Sequence, residues 1–152
     1  MELDKILSIN GLPGLHRLKT SNNKGIFIEE LNSDKVRFVT NVSNRAVTLD
    51  NISIYTYNDS IPLKDIFDQM KTFEESTPII KPNSSGQELK DFFRSILKDY
   101  DEDRVYVSDI KKLIKWYLLL KNETKQIKSN ITFAKKTFFG LISGIICAPM
   151  GI

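Results

Sequence analysis

Catalytic or metal chemistry in this chain would have to run through very few side chains. There is one histidine, His16, and one cysteine, Cys147, in 152 residues. A structural zinc site takes four nitrogen or sulfur ligands, which these two cannot supply, and a lone cysteine closes no internal disulfide. A hydrolytic triad brings a nucleophile, a base and an orienting acid together. His16 follows the Pro13-Gly14 turn at the start of a strand, where an exposed or half-buried strand residue is expected rather than a general base. Cys147 has no basic neighbour nearer than Lys136 to lower its pKa. Gly11-Leu12-Pro13-Gly14 and Gly140-Leu141-Ile142-Ser143-Gly144 lack the Gly/Lys/Ser pattern of a phosphate loop. Asp99-Tyr100-Asp101-Glu102-Asp103 fills positions 1, 3 and 5 of a calcium loop, but Arg104 stands at position 6 and Ile110 at position 12, where a Gly and a bidentate Glu are needed. A frame starting at Asp101 fits worse, with Tyr106 and Lys112 at those positions. These acids are expected in a loop between helices, one of them pairing with Arg104. The reading is therefore no enzyme, no catalytic or metal-binding residue and no cofactor.

Binding chemistry has more to work with. The net charge is +3, but it is unevenly spread. Residues 1–60 are neutral and 61–108 carry −3, while residues 109–152 hold eight Lys against Asp109 and Glu123. A local cationic segment attracts phosphate backbones, anionic lipid or an acidic protein surface. The candidate contacts there are Lys111, Lys112, Lys115 and Trp116. A second group is expected on the sheet. If Ile26, Ile28, Val36, Phe38, Ile52 and Ile54 face the core by strict alternation, then Phe27, Arg37, Tyr55 and Tyr57 share the opposite face. Arg37 and Tyr57 could then serve a base-stacking platform, unless a helix covers them and makes the aromatics core.

The elements that must position these residues follow from spacing and turn chemistry. Leu3, Ile6 and Leu7 recur at helical spacing, suggesting a short helical turn ended by Gly11-Leu12-Pro13-Gly14. Short strands are expected over residues 15–19, 26–30 and 36–40, with turns at 21–25 and 32–35. Residues 41–51 are ambiguous, and Ile52-Ser53-Ile54-Tyr55-Thr56-Tyr57 reads as a further strand. Ser60 is the expected N-cap of a helix carrying Leu63, Ile66, Phe67 and Met70 on one side, which would pack on the sheet. Two Pro, one Gly and three Ser over 76–86 mark a linker. Ser85 and Glu88 fit a capping box for a helix to about Lys98. Ser108 is the expected cap of a last helix, buried through Ile110, Leu113, Ile114, Tyr117 and Leu120 and basic on its outside.

The opening Leu3-Asp4-Lys5-Ile6-Leu7-Ser8-Ile9-Asn10-Gly11-Leu12-Pro13-Gly14-Leu15 resembles the start of a family of small uncharacterised Bacteroidota proteins. So do Ile54-Tyr55-Thr56-Tyr57 followed by Ile61-Pro62-Leu63, and the stretch from Asp99 to Tyr117. The resemblance covers about residues 1–122 and implies a compact cytoplasmic protein of a domain of unknown function, with no catalytic residue or cofactor to carry over. Such proteins would end in a short polar, Lys-rich segment. Here residues 137–152 are instead uncharged and apolar, with three Gly and one Pro. Sixteen such residues fall short of the roughly 20 that span a bilayer. The segment is read as packed on protein, as a weak anchor preceded by Lys128, Lys135 and Lys136, or as a loose tail, and membrane attachment is not the expectation.

The fold class is accordingly α+β: a small antiparallel SH3-like curled sheet or barrel with a covering helix, then a helical hairpin. The divisions are 1–75 for the β-rich module, 76–86 for the linker, 87–122 for the hairpin and 123–152 for the tail. No cationic leader precedes an apolar stretch at Met1-Glu2-Leu3-Asp4-Lys5, so the cytoplasm is the expected compartment. The expected function is a non-catalytic binding or adaptor protein with a protein partner. The alternatives are an RNA- or ribosome-associated protein and weak membrane attachment.

Overall fold

The computed structural model describes residues 3–40 and 46–125. Residues 1–119 form one compact unit and the chain from Leu120 a second. Of the second, residues 120–125 are helical, and Thr124 Oγ1 donates to the Leu120 carbonyl at 2.9 Å. The Lys-rich segment after residue 125, the apolar 137–152 and Cys147 lie outside the described residues.

Five strands build an antiparallel sheet: β1 (Ile6–Ile9), β2 (His16–Asn22), β3 (Gly25–Glu30), β4 (Val36–Thr40) and β5 (Ala46–Thr48), in the order β4-β3-β2-β1-β5. Among the described residues no ladder joins β4 to β5, so the sheet is open and no barrel closes. The β2–β3 hairpin turns over Asn23 and Lys24, with Asn22 paired to Gly25. Asn22 Oδ1 accepts from the Lys24 and Gly25 amides at 2.9 and 3.0 Å, the local bonding that makes Asn a turn residue. The β3–β4 turn places Asn32 and Asp34 at φ 69° and 54°, a region these short polar side chains tolerate. Lys19 sits at a register shift between Leu18 and Thr20, and its ammonium reaches Glu29 at 2.6 Å.

Two expectations fail here. The first strand takes the place of the helical turn: Ile6, Leu7 and Ile9 are all buried, and Leu7 and Ile9 pack with Ile28, Leu18, Ile26 and Val39. In β4 the alternation runs opposite to that expected. Phe27 pairs with Phe38 and Ile28 with Arg37, and directly paired residues share a face. Phe27, Phe38 and Val36 therefore lie on one side, all exposed, with the two Phe rings 4.7 Å apart. Arg37 lies on the other side with Ile28. Tyr55 belongs to a separate two-stranded sheet, so the single face of Phe27, Arg37, Tyr55 and Tyr57 is not assembled.

Residues Leu49–Asn51 form a 3₁₀ turn that buries Leu49. A two-stranded sheet follows, β6 (Ser53–Tyr55) and β7 (Ser60–Pro62). Ser60 is thus a strand residue rather than a helix cap. Pro62, which has no amide to donate, is the residue before α1 (Leu63–Glu74). As its spacing requires, α1 buries Leu63, Ile66, Phe67 and Met70. It packs on the 3₁₀ turn, β7 and the next helix rather than over the exposed Phe27, Tyr55 and Tyr57. Its first amide, on Leu63, donates to Ile52 O at 2.9 Å, tying the helix start to the residue before β6.

The helix α2 (Gly86–Ile96) starts with the expected capping box. Ser85 Oγ accepts from the Glu88 amide at 3.4 Å, and Glu88 Oε2 accepts from the Ser85 amide at 2.9 Å. That bonding to Ser85 holds the Glu88 carboxyl below its usual range. The last helix, α3, spans residues 107–125. It starts before Ser108, because Asp109 Oδ2 reaches back to accept from the Tyr106 amide at 3.0 Å. In the loop between the helices Glu102 is held by Arg94 at 2.6 Å and Asp101 by Arg104 at 3.5 Å, the latter pairing as expected.

Candidate functional site

The side of α3 turned inward carries Ile110, Leu113, Ile114 and Tyr117, each at most 2% exposed. The Tyr117 hydroxyl donates to Glu74 Oε2 at 2.6 Å, tying α3 to α1, and burial pushes its pKa up. This fixes the rotation of α3 and leaves Lys112, Lys115 and the half-buried Trp116 on its outer side. The loop after β1 lies opposite them. Gly11 and Gly14 adopt φ +89° and +79°, a conformation that side chains with a Cβ rarely take. Between them the Leu12 amide donates to Ile9 O at 3.1 Å, and Leu12 packs against the small sheet core.

The result is a groove of about 600 Å³ walled by Leu12 and Pro13 on the loop, Val47 on β5, and Lys112, Lys115, Trp116 and Leu119 on α3. Ser8 and Asn10 add uncharged polar groups to this lining, and its charged groups are the two ammonium ions; among the described residues no acid lines it. A second hollow of about 250 Å³ is lined by Ile54, Tyr55, Arg104, Asp109 and Leu113, and it shares Lys112 and Trp116 with the first. These two side chains form a ridge between the hollows. At the far rim the Arg104 guanidinium lies 5.1 Å from the centre of the Tyr55 ring, a cation–π geometry.

Of the residues expected from the sequence, Lys112, Lys115 and Trp116 are brought together. Lys111 is on the same helix but lines neither hollow. Arg37, on β4 at the opposite end of the strand order from β5, lines neither, and nor does Tyr57, whose side chain is 62% exposed. Leu12, Pro13, Val47 and Arg104 complete the site and were not singled out from the sequence as its members, while Tyr55, expected on an aromatic sheet face with Phe27, Arg37 and Tyr57, lines the smaller hollow instead. The Gly11–Gly14 spacing was the available signal, as a turn able to present a wall.

Residues 3–49 match the model of a Domain of unknown function (DUF5606), and residues 52–120 that of a Domain of unknown function (DUF6852). The junction falls at the 3₁₀ turn, after the five-stranded sheet. The groove is therefore built from both: Leu12 and Val47 come from the first match, Trp116 and the lysines from the second. No curated protein matches this chain. A solution NMR structure of a Bacteroides vulgatus protein, a structural genomics target, is similar with a TM-score of 0.63. It is 32% identical, over 81% of this chain and 88% of that one.

Proposed function

This chain, which matches two domains of unknown function, belongs to the same family as the Bacteroides vulgatus protein, and we propose that it is a non-catalytic binding protein whose partner, a protein, docks in the groove at Trp116. One observation carries the reading: Lys112, Lys115 and Trp116 line the larger groove together with Leu12, Pro13 and Val47, and among the described residues no acid lines that groove. A half-buried Trp among apolar side chains is the kind of anchor enriched at interface centres. In this reading the strand order, with β5 added outside β1 of a four-strand meander, is an SH3-like curled sheet. Helices α2 and α3 act as a helical hairpin presenting the groove wall, and the protein works in the bacterial cytoplasm.

The test compares the full chain with a variant carrying Trp116→Ala, Lys112→Glu and Lys115→Glu, both immobilised in the same lysate. Proteins retained by the first and lost by the second, measured by quantitative mass spectrometry, are the expected result. Identical eluates, or turnover of a metabolite by the full chain, would overturn the reading. A second reading, binding of single-stranded RNA, is favoured by Arg104 over Tyr55 beside Lys112, since cations interleaved with aromatics suit stacked bases.

A further inference from the structure

We infer that the occupant of the groove is an extended peptide segment in which acidic residues are interspersed with apolar ones, crossing the ridge made by Lys112 and Trp116. The inference rests on the binding-protein reading and names the chemistry of its partner. Two features of the site point to that chemistry. Two hollows with apolar walls, one at Leu12 and Val47 and the other at Ile54 and Leu113, are separated by a single ridge. An extended chain sets same-face side chains about 6.8 Å apart, so successive apolar side chains can seat on either side of one such ridge. The cations stand on the ridge and rim, where long Lys stems follow a carboxylate that faces away from the floor.

The extended form has its own support. Val47 lines the larger groove from β5, the last strand of the sheet order, and among the described residues no strand pairs on its other side. An edge strand beside side-chain pockets is the geometry of strand addition, in which the backbone gives affinity and the pockets give specificity. Charge decides between peptide and nucleic acid. Asp109 lines the smaller hollow and Asp101 engages Arg104, so a continuous phosphate backbone would meet carboxylates where a peptide need place no charge.

Trp116 is the sole tryptophan, so its emission reports on this site alone. The probes are a Trp-free dodecapeptide alternating Leu and Asp, the same peptide with every Asp replaced by Lys, the same with every Leu replaced by Ser, and a 12-nucleotide oligouridylate. Each is titrated into the full chain with excitation of tryptophan. The expected result is a saturable blue shift with the first peptide only. Lys112→Glu with Lys115→Glu should weaken it at least tenfold, and Lys24→Glu, in the distant β2–β3 turn, should leave it unchanged. Equal binding of the Lys-substituted peptide, or tighter binding of the RNA, overturns the acidic-peptide inference while leaving a binding protein. An emission unchanged by all four probes overturns it too, and the comparison of eluates above then decides separately whether the chain binds protein at all.

Discussion

His16 is 3% exposed, and its Nδ1 has no hydrogen-bond partner. Burial lowers its pKa first, with Arg37 acting in the same direction and Glu30 against it. A histidine held neutral in the fold and free to protonate when unfolded gives stability that is fully present above the unfolded pKa of about 6.5. That stability is lost as pH falls below that value toward the folded pKa. Urea titrations between pH 8 and 5 should therefore show falling stability on the acid side, with a contribution from this group of at most about 1.4 kcal/mol per pH unit. His16→Leu should flatten that part of the profile. His16 also shows what the sequence withheld at this scale. It was expected at least half exposed because a turn precedes it, but its neighbours across the sheet, Leu7 and Glu30, come from segments whose pairing only the fold sets. Arg37 is a sharper case. A one-residue slip of register sends every side chain to the other face, and the turn through Asn32 and Asp34 sets β4 so that Phe38 rather than Arg37 lies beside Phe27.

Elements with local signals were legible, and those defined by both their faces were not. The capping box of α2 could be read from Ser85 and Glu88 because every atom involved lies within four residues. Replacing Ser85 by Ala should cost about 1 kcal/mol, a fall of about 2–4 °C in Tm for a chain of this size, checked by calorimetry. Strand β1 gave the opposite outcome. Ile6 lies on one face while Leu7 and Ile9 lie on the other, and all three are buried. A strand covered on both sides has no alternation to reveal it, and Leu3, Ile6 and Leu7 happen to match helical spacing. The β3–β4 ladder holds a second sharp constraint. A Cβ on Gly25 would collide with the Val39 carbonyl oxygen, backbone that cannot swing aside. Gly25→Ala should destabilise by roughly 1–3 kcal/mol, as overpacking does, and faster amide exchange confined to β3 and β4 is the readout. The site shows the same division. Lys112, Lys115 and Trp116 were legible from one helix, whereas Val47 and Leu12 join them only through tertiary placement.

At the scale of the whole molecule, the exposed phenylalanine pair is kept apart from the lysines of the groove. Phe27 and Phe38, 39% and 43% exposed, sit at the β4 end of the sheet order, while Lys112 and Lys115 face its β1–β5 end. Among the described residues no helix is long and apolar enough to cross a membrane. If the RNA reading holds, engagement of Lys112, Lys115 and Arg104 sets a salt slope of about −2 in log K against log salt, from roughly −0.7 per phosphate on a single strand. A filter-binding series across salt concentrations measures it, and a flat series removes that reading. The β1–β5 pairing that carries Val47 has a kinetic side as well. It joins Ile9 to Ala46, about 37 residues apart, whereas Asn22 and Gly25 close a two-residue loop. Closing the longer span costs on the order of 2 kcal/mol more in chain entropy, so the β2–β3–β4 meander should be in place at the folding barrier and the β1–β5 seam should form after it. In a chevron series, Ile28→Val should then slow refolding, and Ile9→Val should mainly speed unfolding. On that folding order the same seam should be the first to part when the native state breathes, and each such opening carries away one wall of the groove.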